Sequence, residues 1–198
     1  MKKVRLFVLA LSVTLLGGLL GWTGAFAGAR KVPIYSVERP DHKIAISFDA
    51  AWGNEHTAAI LRILEEYNVK TTFFLVKFWA EKFPDDVRKI AAAGHEVESH
   101  SATHPDMAKL SPQQIRQELE TTGQVIESLT GTVPQLFRPP FGSYNNTLME
   151  TAEACGYQVI QWSRDGLATR ENRCNFNGSG GNRTLGIAAC KATGNLLY

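Results

Sequence analysis

Short apolar runs alternate with longer amphipathic stretches through the middle of the chain. Residues 43–48, KIAISF, form a β-rich apolar run, and residues 54–69 then place apolar side chains at helical spacing. The alternation continues to Trp162. It predicts strands over 70–76, 95–100 and 157–162, and a strand end with a turn over 135–142. It also predicts helices over 84–94, 111–131 and 145–156.

Strands separated by helices predict an α/β fold with a parallel sheet. A (β/α) barrel and a doubly wound sheet both fit this order. In either fold, active-site groups lie at the C-terminal ends of the strands. Asp49, His100 and Arg138 all fall at such ends.

The helix predicted over 111–131 has the clearest ends. Ser111 is a favoured N-cap residue, and Pro112 suits the first helical position because the missing N–H has no intrahelical partner there. Gly131 is placed to end the helix.

Residues 1–30 carry a separate signal. MKKVR is a positive leader, and the run from Leu6 to Ala29 has no charge. A small-residue site, Ala25 to Ala27, favours a cleaved signal peptide. The uncharged run is also long enough to span a bilayer as an anchor. Both alternatives place the domain outside the cytoplasm, because the basic leader stays inside.

The remaining chain divides into three parts. Residues 31–43 are predicted to be a polar connector, residues 44–162 the domain, and residues 163–198 an atypical tail. The tail has no clear period and only TLGIAAC is modestly apolar. It is interpreted as a flexible tail or as the product of a shifted reading frame, which the DNA after the Trp162 codon would decide.

Composition limits the function classes. The 198 residues are 44% hydrophobic with a net charge of +2, which fits one globular domain and gives no indication of nucleic-acid binding. The three cysteines have no CxxC spacing and predict neither a zinc motif nor a disulfide framework. Cys155 is interpreted as a small apolar residue.

Two histidines form the strongest local chemical signal. His100 and His104 lie four residues apart in HSATHP, at the end of a predicted strand. If a turn follows the strand, both imidazoles can face one point and hold a zinc ion. Many such pairs are simply surface residues. His95, before the strand, is predicted to be a surface or capping residue.

An acid and an arginine complete the set of candidates. Asp49 follows the first apolar run, where a buried carboxylate needs a partner or a cation. A helix cap or a structural ion pair would also explain it. In FRPPFG, two prolines fix a turn and direct Arg138 inward, although a surface arginine on a rigid turn is the simpler alternative.

Three motifs in order, SFDA, HSATH and RPPFG, resemble those of the polysaccharide deacetylase family of NodB-type carbohydrate esterases. The resemblance covers about residues 44–162. It implies a distorted (β/α) barrel and closeness to the sporulation-type deacetylases, which are exported. It also implies an N-acetylated glycan, peptidoglycan or chitin-like, as the substrate.

The resemblance assigns roles to the catalytic residues and metal ligands. His100 and His104 match the two histidines that bind a divalent metal, zinc or a relative. Asp49 matches the general base, and Arg138 matches the residue that pairs with this base and keeps it ionised. The backbone N–H of Phe141 corresponds to the oxyanion donor.

The same resemblance implies a substrate surface. Trp52, Pro140 and Trp162 are the residues expected to contact the glycan, with Phe141 beside them.

The chain departs from the family pattern in two ways. Ala50 stands where the family has the metal-binding second acid, so one ligand is missing. No histidine follows His104, so the family's general acid is absent, and the pattern after Trp162 lacks the last strands. The sequence therefore predicts an open sheet edge and marginal stability. It leaves both an active deacetylase and a glycan-binding member without turnover as alternatives.

Overall fold

The structure is a computed structural model that describes residues 29–38, 40, 43–167 and 184–192, with side chains described up to Ser163. The predicted membrane segment, apart from its last two residues, lies outside these ranges. Within them, no helix combines the length and apolar character needed to cross a bilayer.

Parallel strands form the centre of the molecule. They lie side by side in chain order, and every neighbouring pair is parallel. The strands are β2 (Ala45–Ala50), β3 (Thr72–Leu75), β4 (Glu96–Ser99), β5 (Leu136–Phe137) and β6 (Gln158–Val159). Their C-terminal ends therefore share one edge, as predicted from the strand–helix alternation.

Helices connect these strands, and most begin and end near the predicted positions. They are α1 (Thr57–Glu66), α2 (Lys77–Lys82), α3 (Pro84–Ala92), α4 (Pro112–Thr130) and α5 (Asn146–Ala154), with 3-10 turns at Met107–Lys109 and Pro140–Gly142.

Helix α4 has the predicted caps. The Ser111 hydroxyl accepts a hydrogen bond from Gln114 N, and the Gln114 side chain accepts one from Ser111 N, which together form a capping box. Gly131 has φ 73°, the left-handed conformation that glycine adopts at low cost.

Helix α2 was not predicted by the sequence pattern. Its six residues are too few to show a helical period. The helix buries Trp79, which is 1% exposed and donates a hydrogen bond to Gly53 O. Tertiary packing therefore stabilises this element.

The apolar side chains form two buried clusters against the sheet. One contains Leu75, Trp79 and Ile90, and the other contains Leu119, Phe137 and Leu148. Buried polar residues, among them Asp49, His100 and Arg138, lie at the C-terminal ends of the strands.

The tail contains strands, contrary to the sequence analysis. Residues Arg164–Leu167 form β7 and Thr184–Ala192 form β8, which includes TLGIAAC. Strand β8 pairs in parallel with β2 over six residue pairs and with β7 on its other side. The edge of β2 carries N–H and C=O groups that need partners, and β8 supplies them.

The predicted connector also joins the sheet. Strand β1 (Ser36–Glu38) pairs antiparallel with β8. Two residues earlier, Ile34 bridges to Ile160, just after β6. The segment from Ile34 to Glu38 thus pairs with strands at both ends of the parallel array, a long-range arrangement that its polar sequence does not indicate.

Candidate active site

A buried ion pair lies at the C-terminal edge of the sheet. Asp49 near the end of β2 and Arg138 directly after β5 are 5% and 0% exposed. Arg138 Nη1 donates to Asp49 Oδ1 over 2.5 Å, and Nη2 donates to Ser47 Oγ over 2.7 Å. Ser47 and Asp49 are two residues apart on one strand, so they share a face. Asp49 is therefore in an ion pair and is not a helix cap.

Arg138 points inward, and its burial excludes the alternative of a surface arginine. Its guanidinium lies 4.0 Å from the centre of the Phe74 ring and 5.9 Å from that of Trp162. Its backbone N–H donates to Ser99 O at the end of β4. An arginine held by a carboxylate, a hydroxyl and an aromatic face has its orientation fixed.

The second carboxylate oxygen of Asp49 makes no hydrogen bond to Arg138. Asp49 Oδ2 is buried and has no hydrogen-bond partner among the described residues. Buried polar atoms of this kind normally bind water or a ligand. One oxygen of Asp49 thus holds Arg138, and the other can accept a proton or a hydrogen bond from a reactant.

His100 is held in a defined orientation. It is 3% exposed, and its Nδ1 lies 2.7 Å from Arg138 O. Because a carbonyl oxygen only accepts, Nδ1 is the donor, and in a neutral imidazole Nε2 then has a lone pair. A histidine that binds a metal through Nε2 has the same arrangement.

His104 lies beside His100, as the HSATH spacing predicted. The centres of the two rings are 5.0 Å apart with an interplanar angle of 71°. His104 has φ 58°, which is uncommon for a residue with a side chain. The turn between the two histidines therefore brings the rings together.

These residues provide only part of a binding site for a divalent metal. The two imidazoles offer two nitrogen ligands, but the described residues contain no group of three or more His, Cys, Asp or Glu side chains able to hold a metal. Ala50, which follows Asp49, has no donor atom. The donor set is thus one ligand short of the usual three.

Aromatic side chains form an exposed rim around His104. The ring centres of Trp52 and Phe141 lie 4.9 Å and 4.8 Å from that of His104, and both contacts are edge-on. Trp52 is 53% exposed and Phe141 is 65% exposed, so both present apolar surface to solvent beside the polar site. Carbohydrate rings have apolar faces that stack on such surfaces.

The remaining predicted substrate residues lie close by. Pro140 is buried and begins the turn that presents Phe141, which has φ 59°. Trp162 is half-buried, and its ring packs so closely against Gly142 that a β-carbon there would lie 3.2 Å from it. The roles of Pro140 and Trp162 in binding, and of the Phe141 N–H as oxyanion donor, stay predictions.

The prediction for His95 was wrong. His95 is 7% exposed, and its Nδ1 accepts a hydrogen bond from Thr71 N. Burial, with a smaller contribution from the Lys70 charge, lowers the pKa of His95. The sequence shows only a polar residue at a strand start, so the packing that buries it was not visible.

Three contributors to the site were also missed. Ser47 and Phe74 hold Arg138, and Glu118 holds the turn that carries the histidines. The alternation of Ser47 with Asp49 was a usable signal for the first. Glu118 is distant in sequence and gave none.

Together, the fold and the site define an α/β protein with a buried carboxylate–arginine pair and two neighbouring histidines at the C-terminal ends of parallel strands. A family model for polysaccharide deacetylase matches residues 36–160, more than half of the chain. The chain belongs to the polysaccharide deacetylase family.

Similar proteins support this assignment. The uncharacterized protein YlxY of Bacillus subtilis is 36% identical over 67% of this chain and 42% of its own length. The peptidoglycan-N-acetylglucosamine deacetylase of Bacillus cereus is 34% identical over 73% of this chain and 50% of its own length. The chain thus spans about half the length of these curated relatives.

The chain is also similar to the solved structure of a pseudoenzyme. A CE4 family pseudoenzyme from Bacillus anthracis superposes with a TM-score of 0.66 at 35% identity, covering 68% of this chain and 48% of that one.

Proposed function

We propose that this chain acts on N-acetylated amino-sugar glycans of the cell wall or spore wall and removes their acetyl groups. The observation that carries the proposal is the buried Asp49–Arg138 pair: the second carboxylate oxygen of Asp49 has no hydrogen-bond partner among the described residues, and His100 contacts Arg138 O. The similarity to a peptidoglycan-N-acetylglucosamine deacetylase supports this substrate class.

The proposed reaction uses Asp49 as the general base. Its free oxygen, Oδ2, takes a proton from a water molecule, and the water oxygen attacks the acetamide carbonyl carbon. The protonated Asp49 then returns this proton to the amide nitrogen as the C–N bond breaks, which releases the free amine and acetic acid, and the acid ionises to acetate in solution. Arg138 pairs with the Asp49 carboxylate and fixes its orientation.

Metal chemistry has a limited place in this proposal. A divalent ion at His100 and His104 would polarise the carbonyl and make a bound water more acidic. Because Ala50 supplies no third ligand, no step of the reaction is assigned to the metal.

The exposed rim provides the substrate surface in this proposal. Trp52 and Phe141 are large, apolar and accessible, and they flank His104 at the mouth of the site. A sugar ring stacked on either one would lie beside His104.

A second candidate function is glycan binding without turnover. Ala50 and the lack of a histidine after His104 remove groups that the family's chemistry uses, and the similarity to a pseudoenzyme agrees with this candidate. The aromatic rim would still bind a glycan.

The decisive experiment measures acetate release from N-acetylated chitooligosaccharides and peptidoglycan. We expect Asp49→Asn to lower the rate by ~10²–10⁴-fold, because the proton acceptor is lost. Asp85→Asn is the control, since Asp85 pairs with Arg88 on the surface. An unchanged rate in Asp49→Asn would rule out the proposed base. Binding by the natural chain with no acetate release would support the second candidate.

A gain-of-function variant tests the missing ligand. We expect Ala50→Asp to raise acetate release at least about tenfold and to make it sensitive to chelators, because a carboxylate completes the ligand set. Ala51→Asp adds the same charge one residue further and serves as the control, since Ala50 and Ala51 are both buried. Equal rates in Ala50→Asp and the natural chain would show that Ala50 does not limit activity.

We also propose the location of the protein, its barrel fold and its subgroup. Export, through either a cleaved signal or a membrane anchor, is supported by the basic leader and uncharged run of residues 1–30. The pairing of residues 34–38 with both ends of the parallel array supports a distorted barrel. Membership of the sporulation-type subgroup and the shifted frame of the tail remain proposals.

A further inference from the structure

A helix carboxylate binds the turn between the two histidines. Glu118 on α4 accepts hydrogen bonds through Oε2 from Ala102 N over 2.7 Å and from Thr103 N over 2.8 Å. Its Oε1 accepts from Thr103 Oγ1 over 2.8 Å. One half-buried carboxylate thus binds both consecutive residues at the centre of the turn.

The turn needs such support because its ends have uncommon backbone conformations. Ser101 has φ 76° and His104 has φ 58°, and neither is glycine. Conformations of this kind persist where surrounding contacts fix them. The residues that Glu118 binds lie between these two positions.

Further hydrogen bonds fix the start of the turn. His100 N donates to Leu75 O, and Lys77 N donates to Ser101 O, which ties the start to β3 and α2. His104 N donates to Ser101 Oγ, within the turn itself. Glu118 provides the contact from α4 to the centre of the turn.

We propose that Glu118 is a positioning residue that sets the place of the His104 ring relative to His100. Two charge-assisted bonds to adjacent N–H groups leave the turn little freedom, and His104 follows directly after it. The chemical use of this geometry rests on the proposed function, but the geometry itself can be tested without it.

The test compares variants on one helix. Glu118→Ala removes all three bonds. Glu118→Gln keeps neutral and weaker bonds, and Thr103→Val removes only the hydroxyl bond. Glu120→Gln is the matched control, because Glu120 lies on the same helix and pairs with Arg116 on the surface. Thermal melting identifies any variant that does not fold, and the milder variants then replace Glu118→Ala.

The first measurement is the NMR shift of the His104 ring protons. Trp52 and Phe141 meet this ring edge-on, so their ring currents report its position. We expect the His104 shift to change most in Glu118→Ala, less in Glu118→Gln and Thr103→Val, and not in Glu120→Gln. An unchanged His104 shift in folded Glu118→Ala would overturn the proposal.

The second measurement is acetate release, if the natural chain shows it. We expect Glu118→Ala to lower kcat about 10–100-fold, with KM nearly unchanged, because misplacing a site residue affects the reaction more than binding. A full kcat in folded Glu118→Ala would also overturn the role. An inactive natural chain would contradict only the proposed function, and the NMR result would still decide the position of His104.

Discussion

The surroundings of Asp49 and Arg138 determine whether their charges can be buried. A buried carboxylate or guanidinium is costly unless each is paired and hydrogen-bonded. Here Arg138 meets Asp49, Ser47 and the Phe74 ring, while Asp49 keeps one oxygen unpartnered. The unpartnered oxygen is the costly feature, and it is also the one that a general base requires.

Glu98 on β4 is a half-buried carboxylate, and its surroundings change its pKa. Its Oε2 accepts hydrogen bonds from Gln135 N and Leu136 N, at the start of β5. Burial raises the pKa of Glu98 from 4.5 to about 7, although these N–H groups oppose the shift. The folded protein therefore binds this proton more tightly than the unfolded chain does.

The pKa of Glu98 predicts a pH dependence of stability. Its contribution is fully present below pH 4.5 and is lost as the pH rises through about 7. Because glutamine does not titrate, we expect the unfolding free energy of Glu98→Gln to change less with pH than that of the natural chain. The expected difference is on the order of 2 kcal/mol. Urea unfolding at several pH values would measure it, with the exposed Glu127→Gln as control. Parallel curves for Glu98→Gln and the natural chain would contradict the prediction.

Helix α4 and helix α2 differ in the interactions that stabilise them. The ends of α4 are encoded locally by Ser111, Pro112 and Gly131, and the structure confirms all three positions. Helix α2 has no side-chain cap bond and forms around the buried Trp79. Local chemistry is visible in a sequence, whereas a short helix held by packing is not.

The cap of α4 gives a prediction at the scale of the element. We expect Ser111→Ala to lower the unfolding free energy by about 1 kcal/mol, because Gln114 N loses its partner and the capping box is broken. Ser128→Ala is the control, since that hydroxyl bonds only within the exposed helix surface. Denaturant unfolding would measure both, and equal stability of the two variants would show that the cap contributes nothing.

The end of strand β4 determines where the histidine turn begins. The predicted strand over 95–100 ends at Ser99 in the structure, so His100 begins the turn that leads to His104. The HSATH spacing indicated that the rings could meet, but the two positive φ angles and the contact from α4 are properties of the folded structure.

The whole molecule depends on strands from both termini of the described region. Strand β8 lies between β1 and β2, so the edge of β2 is paired. The sequence predicted an open sheet edge, without locating it, because the tail lacks the family pattern. The structure instead assigns this edge a strand whose sequence is only modestly apolar.

The pairing of β8 gives a prediction at the scale of the molecule. We expect a chain ending at Leu167 to melt at a lower temperature and to aggregate more, because the edge of β2 would lose its partner. A chain ending at Ala192 retains β8 and is the control. Thermal melting and light scattering would measure both, and identical behaviour would show that β8 does not stabilise the sheet.

The sequence by itself determined the order of the parallel strands β2 to β6, the helices α1, α3, α4 and α5 between them, and the placement of Asp49, His100 and Arg138 at strand ends. Those features follow from local periodicity, caps and short motifs, which neighbouring residues encode. Only the tertiary structure decided that Arg138 is buried against Asp49, that His95 is internal and that Glu118 holds the histidine turn. It also decided that β8 pairs with β2, because such contacts join residues far apart in the chain and depend on packing.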